Sequence, residues 1–171
     1  NIRGVNAGEE ITMEQVVITD NPPHSNFVII DRQVADHQNR AQIDLLALKR
    51  DFQEEKFHFL VIEVKLGRNP EIREKVGRQL NSYVTHVKGH IEDYAYCYQK
   101  NYSQNFEFGL LDSYMPSSLI INDDPDSVEG LVVICGYSGI ARGNIKALDA
   151  AIIENNWDIK IHQMMLMPKL G

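Results

Sequence analysis

A mixed α/β fold follows from three observations. Residues 41–49 (AQIDLLALK) and 57–66 (FHFLVIEVKL) are apolar runs of strand length joined by a polar turn at 50–56. A long helical stripe comes next, over residues 70–98. Then an apolar strand at 131–135 (LVVIC) leads through a turn to a helix and a last strand, which is the pattern of a crossover unit. The expected architecture is a mixed central β-sheet flanked by helices, in the order α-β-β-β-α-β with a further α-β.

The elements are read in turn. Residues 9–18 (EEITMEQVVI) form a helix or helix-like lead-in, broken by Asn21-Pro22-Pro23. Residues 26–32 (NFVIIDR) read as the first strand, followed by the strands at 41–49 and 57–66. Asn69 and Pro70 open the long helix, Asn as its cap and Pro at its first helical position. Its buried stripe runs through Ile72, Val76, Leu80, Tyr83, Val84, Val87, Ile91, Ala95 and Tyr98. Residues 99–129 are polar and read as an irregular insertion, and Gly136 to Gly143 as a turn. A helix at 144–154 and a strand at 157–167 complete the set, with Trp157 in the core.

At 171 residues and 43% hydrophobic, the chain has the size and core of a single domain spanning 1–171. No run of 18 apolar residues predicts a membrane span, and no basic-then-apolar segment opens the chain. It begins at Asn1 rather than Met, which leaves room for a longer protein. Cys97 and Cys135 supply neither a disulfide framework nor metal-ligand spacing, so a cytoplasmic setting is expected.

The net charge of −7 argues at first against a nucleic-acid partner. Its distribution says otherwise. Residues 91–130 hold eight acids and one base, a net of −7, so the remainder is neutral. Residues 64–90 hold six bases and two acids, a local net of +4.

The chemistry sits on the strand 57–66. Side chains alternate along a strand, so Phe57, Phe59, Val61, Glu63 and Lys65 share a face. Both faces are apolar through the middle, as expected of a central strand, so the charges at its end need partners. A turn centred between residues 53 and 54 places Leu46 and Leu48 opposite Val61 and Phe59. The same register brings Asp44 opposite Glu63. Two facing carboxylates destabilise a sheet unless neutralised, and a hard divalent cation does that. Lys65 reaches the same spot, and Gln79 and Tyr83, four apart on the helix, point a neutral amide towards it. Carboxylates, cation, lysine and amide suggest metal-assisted hydrolysis of a phosphate ester. Arg68, Arg73, Lys75 and Arg78 follow directly and are candidates to hold a polyanionic backbone.

Asp44, then Glu63-Val64-Lys65, then Gln79-Leu80-Asn81-Ser82-Tyr83 resembles the PD-(D/E)XK nuclease superfamily, in the variant with a Q-x-x-x-Y motif. The resemblance covers about residues 9–88, with the later strand–helix–strand fitting in outline. It implies a restriction-endonuclease-like core and a Mg²⁺- or Mn²⁺-dependent nuclease acting on DNA, with RNA not excluded, in repair, restriction or another defence process. By resemblance Asp44 and Glu63 ligate the metal with the Val64 carbonyl as third ligand. Lys65 is then the catalytic lysine and Gln79 the supporting amide. Such domains often work as a homodimer or with a partner domain. Two departures stand out: Ile43 replaces the family's proline before the aspartate, and the first-helix glutamate is either Glu10 or Glu14. The rival expectation is a non-catalytic module that keeps the fold and binds protein or nucleic acid, with the acidic 91–130 segment docking a basic partner.

The remaining motifs carry bland readings. His86 and His90, four apart and in line with Gln79 and Tyr83, are candidates for a second metal site or an extension of the substrate cleft, but with no third ligand they read as a partly exposed surface pair. Gly136-Tyr137-Ser138-Gly139-Ile140 lacks the second glycine of a nucleophile elbow and reads as a strand-to-helix connection. Asp123-Asp124-Pro125-Asp126 reads as a solvated turn. Glu71 and Lys75 are spaced for an ordinary helical ion pair.

Overall fold

The computed structural model describes residues 2–20, 27–36, 41–110, 117–136 and 138–164. Five strands form one sheet in sequence order: β1 (Phe27–Asp36), β2 (Ala41–Asp51), β3 (Lys56–Leu66), β4 (Glu129–Cys135) and β5 (Ile159–Met164). β1, β2 and β3 are antiparallel neighbours, whereas β3–β4 and β4–β5 are parallel. The mixed sheet is thus as expected. So is the register of β2 on β3, with Leu46 opposite Val61 and Leu48 opposite Phe59.

Both faces of the sheet are covered. On one face α1 (Ile2–Asp20) brings Met13, Val17 and Ile18 against Leu45, Ala47, Leu60, Ile62 and Val64. On the other, Leu46, Leu48, Phe59, Val61 and Val132 pack under the helices α2 (Gly77–Gly89), α3 (Ile91–Glu107) and α4 (Gly139–Asn155). β3 lies between these layers and is buried without interruption from Phe59 to Leu66. Among the described residues no helix is long and apolar enough to cross a membrane.

Asn69 does open the helical stretch: its Oδ1 accepts the Glu71 N–H at 3.0 Å. The first turns, Ile72–Val76, are π-helical before α2 proper begins. Three expectations are corrected. The single helix over 70–98 is two helices, because His90 leaves helical geometry (φ −128°, ψ 24°). The irregular insertion at 99–129 starts later, since α3 runs to Glu107. The turn from Gly136 to Gly143 is shorter, because the Ser138 hydroxyl accepts the Ala141 N–H and starts α4 at Gly139. That cap fixes the helix start at Gly139, although Gly139 and Gly143 have low helix propensity.

Several boundaries also extend. The lead-in helix at 9–18 spans Ile2–Asp20, and the first strand reaches Asp36. The Asn21-Pro22-Pro23 break and residues 165–167 of the last strand lie outside the described residues. Trp157 is half-buried against the main core, and Asp124 caps a short turn at Pro125–Ser127 as a solvated Asx turn.

Candidate functional site

The site forms where the β2–β3 ladder ends. The last rung pairs Leu45 with Ile62, so Asp44 and Glu63 occupy the next positions. Freed from the ladder, the Val64 N–H donates to Asp44 Oδ2 at 2.9 Å. An extended residue sends its N–H and C=O to the same edge, so the Val64 carbonyl also faces this gap. On the other side β1 places the left-handed Gln33 (φ 54°) at the level of Asp44, and it bulges between Ile29 and Asp31, opposite Ala47 and Leu46. Bulges of this kind break pairing and redirect side chains.

Lys65 is the hub. Its Nζ lies 2.7 Å from Glu63 Oε1, 3.4 Å from Asp44 Oδ2 and 3.9 Å from Glu10 Oε2. Glu63 is 1% exposed and Lys65 8%. Gln79 on α2 donates from Nε2 to Glu63 Oε1 at 3.3 Å and to the Tyr83 hydroxyl at 2.9 Å. The structure therefore brings Asp44, Glu63, Lys65 and Gln79 together. Tyr83 is buried in the core and supports Gln79 from behind.

α1 contributes two carboxylates, and the geometry separates their roles. Glu10 Oε1 accepts the Leu66 N–H at 3.2 Å and Asn69 Nδ2 at 2.8 Å, tying α1 to the end of β3. Glu14 is 5% exposed, and its Oε2 has no hydrogen-bond partner. The guanidinium of Arg32 stands 3.6 Å from that oxygen. Glu63 Oε2 is orphaned in the same way. A buried carboxylate oxygen without a hydrogen bond is costly and calls for a cation or a proton. Arg32 supplies a cation beside Glu14, and Glu63 Oε2 has none at hydrogen-bond distance.

Titration follows the same logic. Burial, more than any charge, raises the Glu63 carboxyl to about 7. Burial first and Asp44 second raise Glu14. For Lys65, burial disfavours the ammonium, but Glu63 and then Asp44 outweigh it and hold its pKa above the ordinary value. These directions agree: four carboxylates face one lysine, so the lysine keeps its proton and a carboxylate seeks one.

Among the described residues no group of three His, Cys, Asp or Glu side chains is arranged as a ready metal-ligand set. Glu63 Oε1 is engaged by Lys65 instead. The donors still suit a hard divalent ion, which takes one or two carboxylates and completes its shell with water. Asp44, Glu63 and Glu14 are the oxygen donors on hand.

The expected backbone-binding residues fare differently. Arg68 is paired with Glu9, and Lys75 with Glu71 at 2.8 Å. Arg78 donates to the Glu74 carbonyl at 3.2 Å, and Arg73 is exposed. Two of the four cations are thus already neutralised by carboxylates. Sequence reasoning also missed Asn144, whose Nδ2 donates to the Gly67 and Asn69 carbonyls at 3.1 and 3.2 Å. A signal existed: Asn144 sits in the apolar stripe of Ala141, Leu148 and Ile152, where a polar residue needs a buried partner. Arg32 gave no such signal, because the bulge that brings it near Glu14 is invisible in the hydrophobic pattern.

The chain matches no protein-family model, no curated protein and no solved structure.

Proposed function

We propose that this chain is a PD-(D/E)XK-type nuclease that hydrolyses phosphodiester bonds of DNA with Mg²⁺ or Mn²⁺. The observation that carries the reading is the buried meeting of Asp44, Glu63 and Lys65 at a strand end, with Glu63 Oε2 left without a hydrogen bond and Glu14 Oε2 facing Arg32 at 3.6 Å. Asp44, Glu63 and the Val64 carbonyl are the groups to hold the cation. When bound, it lowers the pKa of a water and neutralises charge on a phosphoryl oxygen.

The chain's own residues do the rest. Gln79 fixes the Glu63 carboxylate through one amide N–H, with Tyr83 bracing the amide. Lys65 keeps its ammonium among the carboxylates, where it orients the attacking water and offsets the negative charge that grows on the phosphate. Water oxygen bonds to phosphorus and gives up a proton, the phosphorus–oxygen bond to the leaving nucleotide breaks, and the leaving oxygen takes up a proton, so that water's H and OH end on the two products.

The test is cleavage of single- and double-stranded DNA with Mg²⁺, with EDTA, and by Lys65→Ala with Mg²⁺. Products are expected only in the first. Equal products in all three overturn the reading.

A further inference from the structure

The face of α2 beside the site carries a shallow depression of about 510 Å³, lined by Arg78, Asn81, Ser82, Thr85, His86 and the Gly89–His90 turn. Every side chain in it has a hydrogen-bond donor and none is acidic. Arg78, Ser82 and His86 are four residues apart, with His90 four further on. At about 1.5 Å per residue they span about 18 Å, enough for several phosphates of one strand, which recur every ~3.4 Å along a duplex axis. At about 100° per residue, Ser82 lies a sixth of a turn round α2 from Gln79, so the depression borders the site.

Charge also favours this face over the stretch before it. Arg68 and Lys75 have carboxylate partners, whereas Arg78 uses one N–H on a carbonyl of its own helix. Acidic residues bracket the depression instead of filling it: Glu74 one turn before Arg78, and Glu92 and Asp93 just after His90.

We infer that this depression binds the phosphodiester backbone of a nucleic-acid strand and leads it along α2 to Asp44, Glu63 and Lys65. The choice of ligand rests on the nuclease reading. Arg78 supplies the charge-assisted contact, and Ser82 and His86 the hydrogen bonds that set the track. His86 and His90, with rings 4.8 Å apart, become part of this surface rather than an idle pair.

The experiment is fluorescence anisotropy of labelled single-stranded and duplex DNA in EDTA across a salt series, with cleavage in Mg²⁺ measured in parallel. Arg78→Ala combined with His86→Ala is expected to weaken binding about tenfold and to reduce the slope of log affinity against log salt by about 1. Ser82→Glu, an exposed change that puts an acid in the track, is expected to weaken binding as much. Arg50→Ala, at the opposite end of β2, should bind as the unsubstituted protein does. Unchanged affinity in both α2 variants overturns the inference, as does an unsubstituted protein that binds no DNA. If those variants bind and cut normally, the inference fails and the nuclease reading stands. If nothing cuts but the variants lose binding, the nuclease reading fails and the track stands.

Discussion

At the scale of single residues, the site is held in tension. Glu63 and Glu14 are buried, and each has an oxygen that accepts no hydrogen bond, with Arg32 paired to that of Glu14 at 3.6 Å. Their folded carboxyl pKa values lie above the ordinary 4.5, with Glu63 at about 7. The folded state therefore binds more protons than the unfolded chain between these two values. Raising the pH through this window removes those protons, so stability falls as pH rises from about 4.5 to about 7. Melting temperatures in EDTA at pH 5 and pH 7.5 check this. Glu63→Gln should shrink the difference, and Mg²⁺ should restore stability at the higher pH. An identical pH response in Glu63→Gln would exclude Glu63 as its source. Lys65→Ala removes the cation beside buried Glu63, which then takes up a proton or stays charged unpaired, so the variant should lose stability, by up to about 3–5 kcal/mol and most at high pH. Denaturant titration measures it, and the double variant Glu63→Gln, Lys65→Met should recover most of that loss. Glu10 and Glu14 could not be told apart in sequence, because both lie on one helix at matching spacing. Only the hydrogen bonds from Leu66 and Asn69 show Glu10 to be a clamp between α1 and the end of β3, whereas Glu14 pairs with Arg32.

At the scale of elements, what could be read depended on whether hydrophobic pattern sets the structure. The β2–β3 register was legible because only one alignment matches Leu46 and Leu48 to Val61 and Phe59. Gln79 and Tyr83 followed from helical period. The break at His90 was not legible, because Val87, Ile91 and Ala95 keep a four-residue spacing straight through it. The last turns of α3 were missed for the reverse reason, being polar and without a stripe. Its own side chains anchor this helix to other parts of the chain: the Tyr98 hydroxyl donates to Asp31 at 2.7 Å, and Gln99 accepts the Ile121 N–H at 3.0 Å. Two glycines of α2 give a paired test. A Cβ on Gly77 would stand 2.6 Å from a Trp157 ring carbon and 3.1 Å from Leu148, whereas one on Gly89 meets nothing within 4 Å. Gly89→Ala should therefore gain up to about 1 kcal/mol from helix propensity. Gly77→Ala should lose about 1–3 kcal/mol by overpacking, shifting α2 and Gln79 with it. Urea midpoints of the two variants should move in opposite directions, and movement in the same direction would mean that Trp157 yields freely.

At the scale of the whole molecule, the net charge of −7 resolves into a neutral body and one acidic segment. Sequence alone made residues 99–129, most of that segment, look like an irregular insertion. The structure makes it part of the domain: Ile121 and Val128 are buried in the main core, and Phe57 exchanges backbone hydrogen bonds with Ile120 and Asn122. Deleting residues 101–127 would therefore unfold more than it unmasks, and charge must be removed in place. Glu92 and Asp93, in the first turn of α3, are exposed and lie two and three residues after His90 at the end of the polar depression. Their position favours the helix, since acids complement the positive end of its dipole by about 0.3–1 kcal/mol each. The same charges repel a phosphate strand approaching that end. Two charges at about 10 Å in water contribute roughly 0.8 kcal/mol together, or about fourfold in affinity. Screening cuts this sharply once salt brings the Debye length to about 8 Å. Glu92→Gln with Asp93→Asn should thus tighten DNA binding two- to fourfold at low salt, roughly as this Coulomb energy sets. The gain should fade by physiological salt, and the melting temperature should drop slightly. Anisotropy titrations at two ionic strengths decide the matter: a gain that survives high salt would point to a direct contact, and no gain at low salt would place the strand away from the His90 end of α2.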